Sequence, residues 1–358
     1  MIDTGFWSGR RVFVTGDTGF KGSWLCLWLS RLGARVTGYS VGLPSEPSLF
    51  EQARVDRFVE SHRGDVRDFE GLAAVVEEAR PEIVFHLAAQ PLVRSSYDDP
   101  LGTYATNVMG TANLLEAVRQ AGAVRAVVVV TSDKSYLTQE WSWPYRETDS
   151  LGGYDPYSSS KACAELVTAA FRSSFFNPAD HGKAHRVGVA SARAGNVIGG
   201  GDWARDRLVP DCIRALGAHQ QIVIRSPEAV RPWQHVLEAL SGYLVLAQEL
   251  YANGAQRGEA WNFGPDESDA RSVEWIVKRV CELWGENAGY RVDSGSKPHE
   301  AALLRLDSSK ARMRLGWKPK WDVERALAKT MEWTAAIGSE EDLAQICFRQ
   351  IAEYAQQT

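Results

Sequence analysis

The sequence has few cysteines and no long apolar run. No apolar stretch approaches the roughly 20 residues of a membrane-spanning helix, and the first residues, MIDTGFWSGRR, lack the apolar core of a signal peptide. The five cysteines lie far apart, unlike a disulfide framework or a metal site: Cys26, Cys163, Cys212, Cys281 and Cys347. We therefore expect a cytoplasmic protein with buried thiols, no membrane segment and no metal.

Runs of positive charge are also missing. Lys and Arg number 40 against 45 for Asp and Glu, the formal net charge is -5, and the basic residues are scattered. This distribution argues against a nucleic-acid-binding surface, so an anionic ligand would have to be held by a few local arginines. His181 and His185 have no third candidate ligand nearby, which favours a polar loop over a zinc site.

The first half of the sequence alternates short, β-branched apolar runs with longer helical patterns. The strand-like runs include RRVFVTG, RVTGYS, EIVFHLA and RAVVVVTSD, and they are continuously apolar. Such strands are typical of a parallel sheet covered by helices on both faces. We predict an α/β fold, a doubly wound parallel (Rossmann) sheet, over residues 1–194 with a returning segment at about 235–265. The remaining stretches, 195–234 and 266–358, are predicted to form a smaller, interleaved α/β substrate lobe.

A glycine-rich loop, VTGDTGFKGSW, follows the first predicted strand and opens the first long helix. Gly16, Gly19 and Gly22 are spaced G-x-x-G-x-x-G, a variant of the dinucleotide-binding fingerprint. Each glycine lets the backbone turn tightly, approach a pyrophosphate or pack closely against the helix. A plain turn cluster is the alternative, but the position between strand and helix favours a nucleotide cofactor.

The end of the second strand indicates which dinucleotide binds. This strand ends at Tyr39 and Ser40, and no Lys or Arg occurs between Arg35 and Arg54. Without a local cation for a 2'-phosphate, NAD is favoured over NADP. Further on, GDVRD supplies Asp65 for the adenine amino group, although a helix N-cap at Asp68 explains these acids equally well.

Tyr157 and Lys161 are spaced i, i+4 in YDPYSSSK, so a helix would project both from one face. The lysine could bind a nicotinamide ribose and lower the pKa of the phenol, which would make Tyr157 a base near neutral pH. By itself this spacing is often a solvated helix face. With Ser132 at the end of the fifth strand and the glycine loop upstream, a catalytic role is favoured.

These motifs resemble the extended short-chain dehydrogenase/reductases. More narrowly, the stretches TGDTGFKGSW, FHLAAQPLVRSSY, TNVMGTANLLEA, TSDKSY, LGGYDPYSSSKACAELV, RAGNVIGGGDWARDRLVPD and RPWQHVLE are similar to the CDP-glucose 4,6-dehydratase group. The resemblance covers nearly the whole chain. It implies a homodimer or homotetramer in deoxysugar biosynthesis that takes CDP-glucose as its small-molecule substrate and NAD as its cofactor.

The resemblance also implies roles for the catalytic residues. Tyr157 takes the proton of the sugar 4-hydroxyl as hydride passes to NAD, with Ser132 bound to the same oxygen and Lys161 supporting both. Asp133 is the acid for the leaving 6-hydroxyl. Lys134 is either the base at C5 or a charged group that stabilises the enolate, while a strand-end ion pair between residues 133 and 134 is the structural alternative.

The remaining site residues follow from the same resemblance. The cofactor is expected to contact Gly16, Thr18, Gly19, Phe20, Lys21, Gly22, Ser40, Asp65, Val66, Leu87, Ala88, Ala89, Gln90, Asn107, Tyr157 and Lys161. The substrate is expected to contact Asn196, Arg207, Leu208 and Arg231, with Arg193 and His299 as candidates that could equally pack the lobes together. An arginine pair suits the substrate diphosphate because the guanidinium is a bidentate donor.

One position departs from the family pattern. Asp17 stands in the glycine loop where relatives often have a small residue. Turned inward, its carboxylate would repel the pyrophosphate, and turned outward it would be an inert surface acid.

Two other functions fit the shared motifs: an NAD-dependent sugar-nucleotide epimerase, which has no use for an acid and a base at 133 and 134, and a non-catalytic NAD-binding regulator.

Overall fold

The computed structural model describes residues 2–139, 141–286, 288–293 and 303–357. Its centre is a seven-stranded sheet in which all neighbouring strands are parallel, in the order β11-β6-β5-β4-β1-β2-β3. Its strands are β1 (Arg11–Thr15), β2 (Arg35–Ser40), β3 (Glu60–Arg63), β4 (Ile83–His86), β5 (Ala126–Val130), β6 (Gly188–Ala194) and β11 (Ala260–Phe263). The predicted doubly wound parallel sheet is confirmed.

Three small two-stranded sheets lie outside the central one. They pair β7 (Val197–Ile198) with β10 (Gln234–His235), β9 (Val230–Pro232) with β12 (Ala270–Ser272), and β8 (Ile222–Ile224) with β13 (Tyr290–Val292).

The helices surround these sheets. They are α1 (Thr4–Trp7), α2 (Phe20–Arg31), α3 (Leu49–Gln52), α4 (Phe69–Ala79), α5 (Val93–Asp98), α6 (Pro100–Tyr104), α7 (Gly110–Gln120), α8 (Pro156–Ser174), α9 (Leu208–Gly217), α10 (Val236–Arg257), α11 (Val273–Trp284), α12 (Ser309–Leu315), α13 (Val323–Ala335) and α14 (Leu343–Gln356). Within the described residues, no helix combines the length and apolarity needed to cross a membrane.

The burial of both sheet faces explains the continuously apolar strands. In β5, Val128 and Val130 belong to a core that also contains buried residues of α2, α10 and α14. Val127 and Val129 point the other way, into a second core with residues of α4 and α7. Alternate residues of one strand thus enter opposite cores, as the period of two in a strand requires.

The predicted returning segment contains α10 and β11. Strand β11 pairs with β6 and forms one edge of the central sheet, and α10 packs on β5 and β6. A separate core joins α9, α11 and α13. The exact division into lobes stays a prediction.

Candidate active site

A cleft of about 1100 Å³ follows the carboxyl edge of the central sheet. Ligands of doubly wound sheets bind at this edge. The lining includes every residue predicted to contact the cofactor except Asn107: Gly16, Thr18, Gly19, Phe20, Lys21, Gly22, Ser40, Asp65, Val66, Leu87, Ala88, Ala89, Gln90, Tyr157 and Lys161. The structure therefore brings residues from five separate stretches of the sequence to one cleft.

The glycine loop forms a cradle that side chains would fill. Gly16 has a φ of 77°, and a Cβ there would lie 2.7 Å from the Ala88 backbone nitrogen. A Cβ at Gly22 would overlap the carbonyl oxygen of Gly16. Gly19 is the N-cap of α2 and offers no side-chain cap, so the helix N-terminus keeps its N–H groups available for an anion. These residues fit a dinucleotide pyrophosphate.

The turn after β5 places Ser132 and Asp133 in the site. Ser132 caps a 3-10 turn, accepting a hydrogen bond from Lys134 N at 3.2 Å and donating to Asp133 Oδ1 at 3.1 Å. The other carboxylate oxygen, Asp133 Oδ2, is buried and has no hydrogen-bond partner in the described residues. Burial raises the pKa of Asp133, while the charge of Lys134 opposes the rise. A carboxyl with a raised pKa is suited to deliver a proton.

Helix α8 positions Tyr157 and Lys161. Asp155 caps the helix by accepting from Ser158 N at 2.9 Å, and Pro156 occupies its first position, so the two functional side chains share its first turns. Both are buried, and Lys161 Nζ donates to Val130 O at 3.4 Å. Burial raises the pKa of Tyr157, opposed by the Ser132 hydroxyl. The expected lowering of the phenol pKa is therefore wrong in this structure.

Two lysines meet in the buried part of the cleft. Burial, together with the charge of Lys21, lowers the pKa of Lys161 to about 8. Burial likewise lowers the pKa of Lys21 to about 8, with Arg207 adding to the effect and Asp133 opposing it. Lys134 is only half-buried, whereas its predicted action as a base assumed burial. Its catalytic role stays a prediction.

Asp17 takes neither of the two expected positions. Its side chain is fully buried against the sheet, where Ser40 Oγ donates to Oδ1 and Ser61 Oγ donates to Oδ2, each at 2.5 Å. Gly38 makes room for the carboxylate, because a Cβ at that position would overlap it. Asp17 is therefore neither a surface acid nor directed toward the glycine cradle.

The adenine end and the middle of the cleft hold further predicted residues. Asp65 accepts from Arg67 Nη2 at 2.6 Å, and Arg67 holds the pKa of Asp65 below its ordinary value. Asn107 lies behind the cleft in a π-helical segment, where its Nδ2 donates to Ser160 Oγ at 2.8 Å and its Oδ1 accepts from Gln90 N at 2.8 Å. Asn107 thus fixes the Gln90 segment rather than lining the cleft.

The structure places Arg193 in a buried ion pair. Its Nε and Nη2 donate to the two carboxylate oxygens of Glu165 at 2.9 and 2.8 Å, and its Nη1 donates to Tyr136 Oη at 2.8 Å. All three nitrogens are thus used within the protein. Of the two roles considered for Arg193, the structure supports internal packing over substrate binding.

Two other substrate candidates, Arg207 and Arg231, carry charges that act on residues of the site. Arg207 precedes α9 and donates to Asp202 Oδ2 at 2.9 Å, and its charge reaches Lys21 and Tyr157. Arg231 lies on β9, and its charge lowers the pKa of the carboxyl of Asp133, which burial raises.

The remaining residues predicted to contact the substrate are Leu208, Asn196 and His299. Leu208 begins α9 and is partly buried in the third core, and Asn196 is half-buried between β6 and β7. His299 lies outside the described residues.

A family model described as GDP-mannose 4,6 dehydratase matches residues 13–330. The chain belongs to this family.

Two curated relatives and one solved structure are similar to this chain over most of its length. The CDP-glucose 4,6-dehydratase of Salmonella typhimurium is 56% identical over 358 residues, covering 100% of this chain and 99% of that protein. The UDP-glucose 4-epimerase of Mycolicibacterium smegmatis is 28% identical over 90% of this chain and 98% of its own length. The solved structure of MoeE5 in complex with UDP-glucose and NAD has a TM-score of 0.73 and 27% identity, covering 92% of this chain and 100% of that chain.

Sequence reasoning missed a buried histidine in this member of the dehydratase family. His86 ends β4, with Nδ1 2.7 Å from Thr15 Oγ1 and Nε2 3.1 Å from Thr111 Oγ1. Burial lowers its pKa to about 3, and the charge of Lys161 adds to the effect. Thr15 Oγ1 also accepts from Ala88 N at 3.2 Å, so this neutral histidine helps to fix the floor of the cleft. The signal was a histidine at the end of an apolar strand.

Proposed function

We propose that the protein is a CDP-glucose 4,6-dehydratase that converts CDP-D-glucose to CDP-4-dehydro-6-deoxy-D-glucose and water with bound NAD. The observation that carries the proposal is the buried carboxyl of Asp133, which has one unpartnered oxygen, accepts from Ser132 and lies near enough for its charge to act on Tyr157, a residue of the cleft lining. Water elimination requires such an acid, and epimerisation does not. The choice of CDP-glucose rests on the 56% identity to the Salmonella enzyme over the full chain.

The cofactor fits the glycine cradle and the residues that line the cleft. When bound, NAD supplies the hydride acceptor for sugar C4 and the donor for C6. Lys161, on the same helix face as Tyr157, holds the nicotinamide ribose, and the N-terminus of α2 holds the pyrophosphate.

The residues of the chain then move the protons. Tyr157 accepts the proton of the 4-hydroxyl, and the Ser132 hydroxyl orients that oxygen. Asp133, whose pKa is raised by burial, donates a proton to the departing 6-hydroxyl. Lys134 acts at C5, as base or as a charge that stabilises the enolate. Arg207 and Arg231 hold the diphosphate, and Asn196 donates to it.

The test is product analysis. The purified protein is incubated with NAD and, separately, with CDP-, dTDP-, UDP- and GDP-glucose, followed by mass spectrometry and NMR. We expect a 4-keto-6-deoxy product, lighter by one water, with CDP-glucose as the best substrate. An isomer of unchanged mass inverted at C4 would support the epimerase, a function that the epimerase relative at 28% identity makes the second candidate. NAD binding without turnover of any sugar nucleotide would indicate a regulator.

We also infer a homodimer or homotetramer that works in the cytoplasm. Helices α5, α6 and α8 pack together, and on or beside them large apolar side chains are exposed, among them Leu101 at 81% and Leu166 at 58%. Exposed apolar side chains on neighbouring helices favour association with a second copy. Sedimentation equilibrium of the wild type and of Leu166→Glu tests this, and a monomeric wild type would contradict it.

A further inference from the structure

The end of β2 is where Rossmann folds recognise the adenosine ribose. An acid there usually accepts a hydrogen bond from the 2'-hydroxyl of NAD, and an arginine nearby accommodates the 2'-phosphate of NADP. In this chain the strand ends at Ser40, which lines the cleft. A serine hydroxyl alone does not discriminate, since it can accept from a hydroxyl or donate to a phosphate.

The proton of Ser40 is already used. Its Oγ donates to Asp17 Oδ1 at 2.5 Å, a length typical of a hydroxyl bound to an ionised carboxylate. Since a serine has one hydroxyl proton, Ser40 Oγ can only accept toward the cleft. Ser61 Oγ holds the second carboxylate oxygen at 2.5 Å and so fixes the orientation of Asp17.

A cation lies opposite this serine. Arg63 pairs with Ser40 in the register between β2 and β3, and its Nη1 is 3.4 Å from a Cβ built on Gly42. No ion pair of Arg63 is found in the described part of the chain. A cation therefore lies near the end of β2 in the folded protein, although none is close to it in the sequence. Alone, Arg63 would favour a 2'-phosphate.

The carboxylate of Asp17 offsets this cation. Burial raises the pKa of Asp17, but the two serine hydroxyls and the charge of Arg63 oppose the rise. The strands are also shaped around the group, since Gly38 and Ser61 are register partners and only a glycine at position 38 leaves space for the carboxylate. A fixed negative charge behind Ser40 disfavours a second anion in front of it.

We propose that Asp17 determines the preference for NAD over NADP. Asp17 is a positioning residue. Because it accepts the only hydroxyl proton of Ser40, Ser40 Oγ can act only as an acceptor for the ribose 2'-hydroxyl. The negative charge of Asp17 also repels a 2'-phosphate beside Arg63. A residue of the glycine loop thereby takes the place of the acid that usually ends the second strand. The inference rests on the proposed function only in that NAD binds in this cleft.

The experiment measures the dissociation constants of NAD and NADP by titration calorimetry on the full chain freed of bound nucleotide, without sugar nucleotide. In Asp17→Asn, which keeps the shape of the side chain, the ratio of the NADP to the NAD dissociation constant should fall about tenfold, as expected for losing one charge-assisted hydrogen bond. Ser40→Ala should lower the ratio similarly and serves if Asp17→Asn does not fold. Ser61→Ala, which contacts the same carboxylate outside the cleft lining, should leave the ratio within about twofold.

The double variant decides whether Asp17 acts through Ser40. In the Ser40→Ala background, Asp17→Asn should change the ratio less than it does with Ser40 present, because only the repulsion of a 2'-phosphate remains. The inference is overturned if Asp17→Asn weakens NAD and NADP by the same factor, if its effect is equally large without Ser40, or if the wild type prefers NADP. A wild type that binds neither nucleotide would instead contradict the proposed function.

Discussion

Two buried charge clusters at the carboxyl edge of the sheet differ in how completely they are paired. In the closed cluster, Glu165 accepts two bonds from Arg193, one from Thr131 and one from Ser191, so both carboxylate oxygens are satisfied. In the open cluster, formed by Lys21, Asp133 and Lys161, one carboxylate oxygen is unpartnered and burial lowers the pKa of each lysine to about 8.

This difference in pairing indicates a structural role for the closed cluster and a catalytic role for the open cluster. Burial opposes ionisation of Glu165, yet Arg193 and the two hydroxyls hold the pKa of that carboxyl below its ordinary value. The ionisable groups of the open cluster are buried without full pairing, which is energetically unfavourable. Such groups are typical of catalytic sites. The closed cluster should therefore contribute to stability and the open cluster to turnover, and each can be altered separately.

The largest expected effect comes from Tyr157→Phe. Loss of the phenolic oxygen removes the proton acceptor for the 4-hydroxyl, so turnover should fall by about 10²–10⁴-fold. The free energy of unfolding should change by less than about 1 kcal/mol. Steady-state kinetics and urea unfolding measure the two quantities. Full turnover by the folded variant would remove Tyr157 from the mechanism.

The closed cluster is broken by Arg193→Ala. This change leaves Glu165 buried without its cation and should cost about 3–5 kcal/mol in the free energy of unfolding. Urea denaturation gives the value. The matched control is Arg193→Met combined with Glu165→Leu, which removes both charges and should recover most of the loss. A cost below about 1 kcal/mol for Arg193→Ala would show that this pair is not structural.

The open cluster is tested at its acid by Asp133→Asn. An amide cannot protonate the 6-hydroxyl, so elimination should slow by about 10²–10³-fold while oxidation at C4 continues. The near-ultraviolet absorbance of reduced cofactor should then accumulate on the protein. Stability should stay the same or rise, because burial raises the pKa of Asp133 and so disfavours its ionised form at neutral pH. Unchanged turnover would exclude Asp133 as the acid of the elimination.

Lys134→Met tests the predicted action at C5. The variant should oxidise C4 and stall, with entry of solvent deuterium into C5 slowed by about 10²-fold. A single turnover of CDP-glucose in heavy water, analysed by NMR, measures this rate. Incorporation at the wild-type rate would exclude Lys134 from the elimination.

The smallest effect is the pH dependence of stability. Because burial lowers the pKa of Lys161 to about 8, the folded state binds fewer protons than the unfolded state between pH 8 and the ordinary lysine pKa of 10.5. The free energy of unfolding of the cofactor-free protein should therefore gain at most about 1.4 kcal/mol per pH unit from this group above pH 8. Lys161→Met should reduce the slope, whereas an identical slope would contradict the buried lysine.

Local signals in the sequence predicted the sheet and most of the cleft. The glycine spacing and the four-residue step from Tyr157 to Lys161 are contained in single elements, so periodicity exposes them. The environment of Asp17 depends instead on Ser61, 44 residues away, and on a register that places Gly38 between them. The same holds for Arg193, whose partner Glu165 is 28 residues away on another element. No local pattern reports such pairings.

Because β11 is needed to complete the central sheet, it limits which fragments of the chain can fold and when the sheet can form during synthesis. This strand covers the edge of β6, and the two are separated by more than sixty residues of intervening chain. A fragment ending at residue 194 would leave β6 with a row of unpaired backbone groups, a template for association with other chains. During translation, the sheet stays incomplete until residue 263 has left the ribosome. We therefore expect the first 194 residues to aggregate when produced alone, and a fragment reaching past α10 and β11 to be the shortest one that closes the sheet.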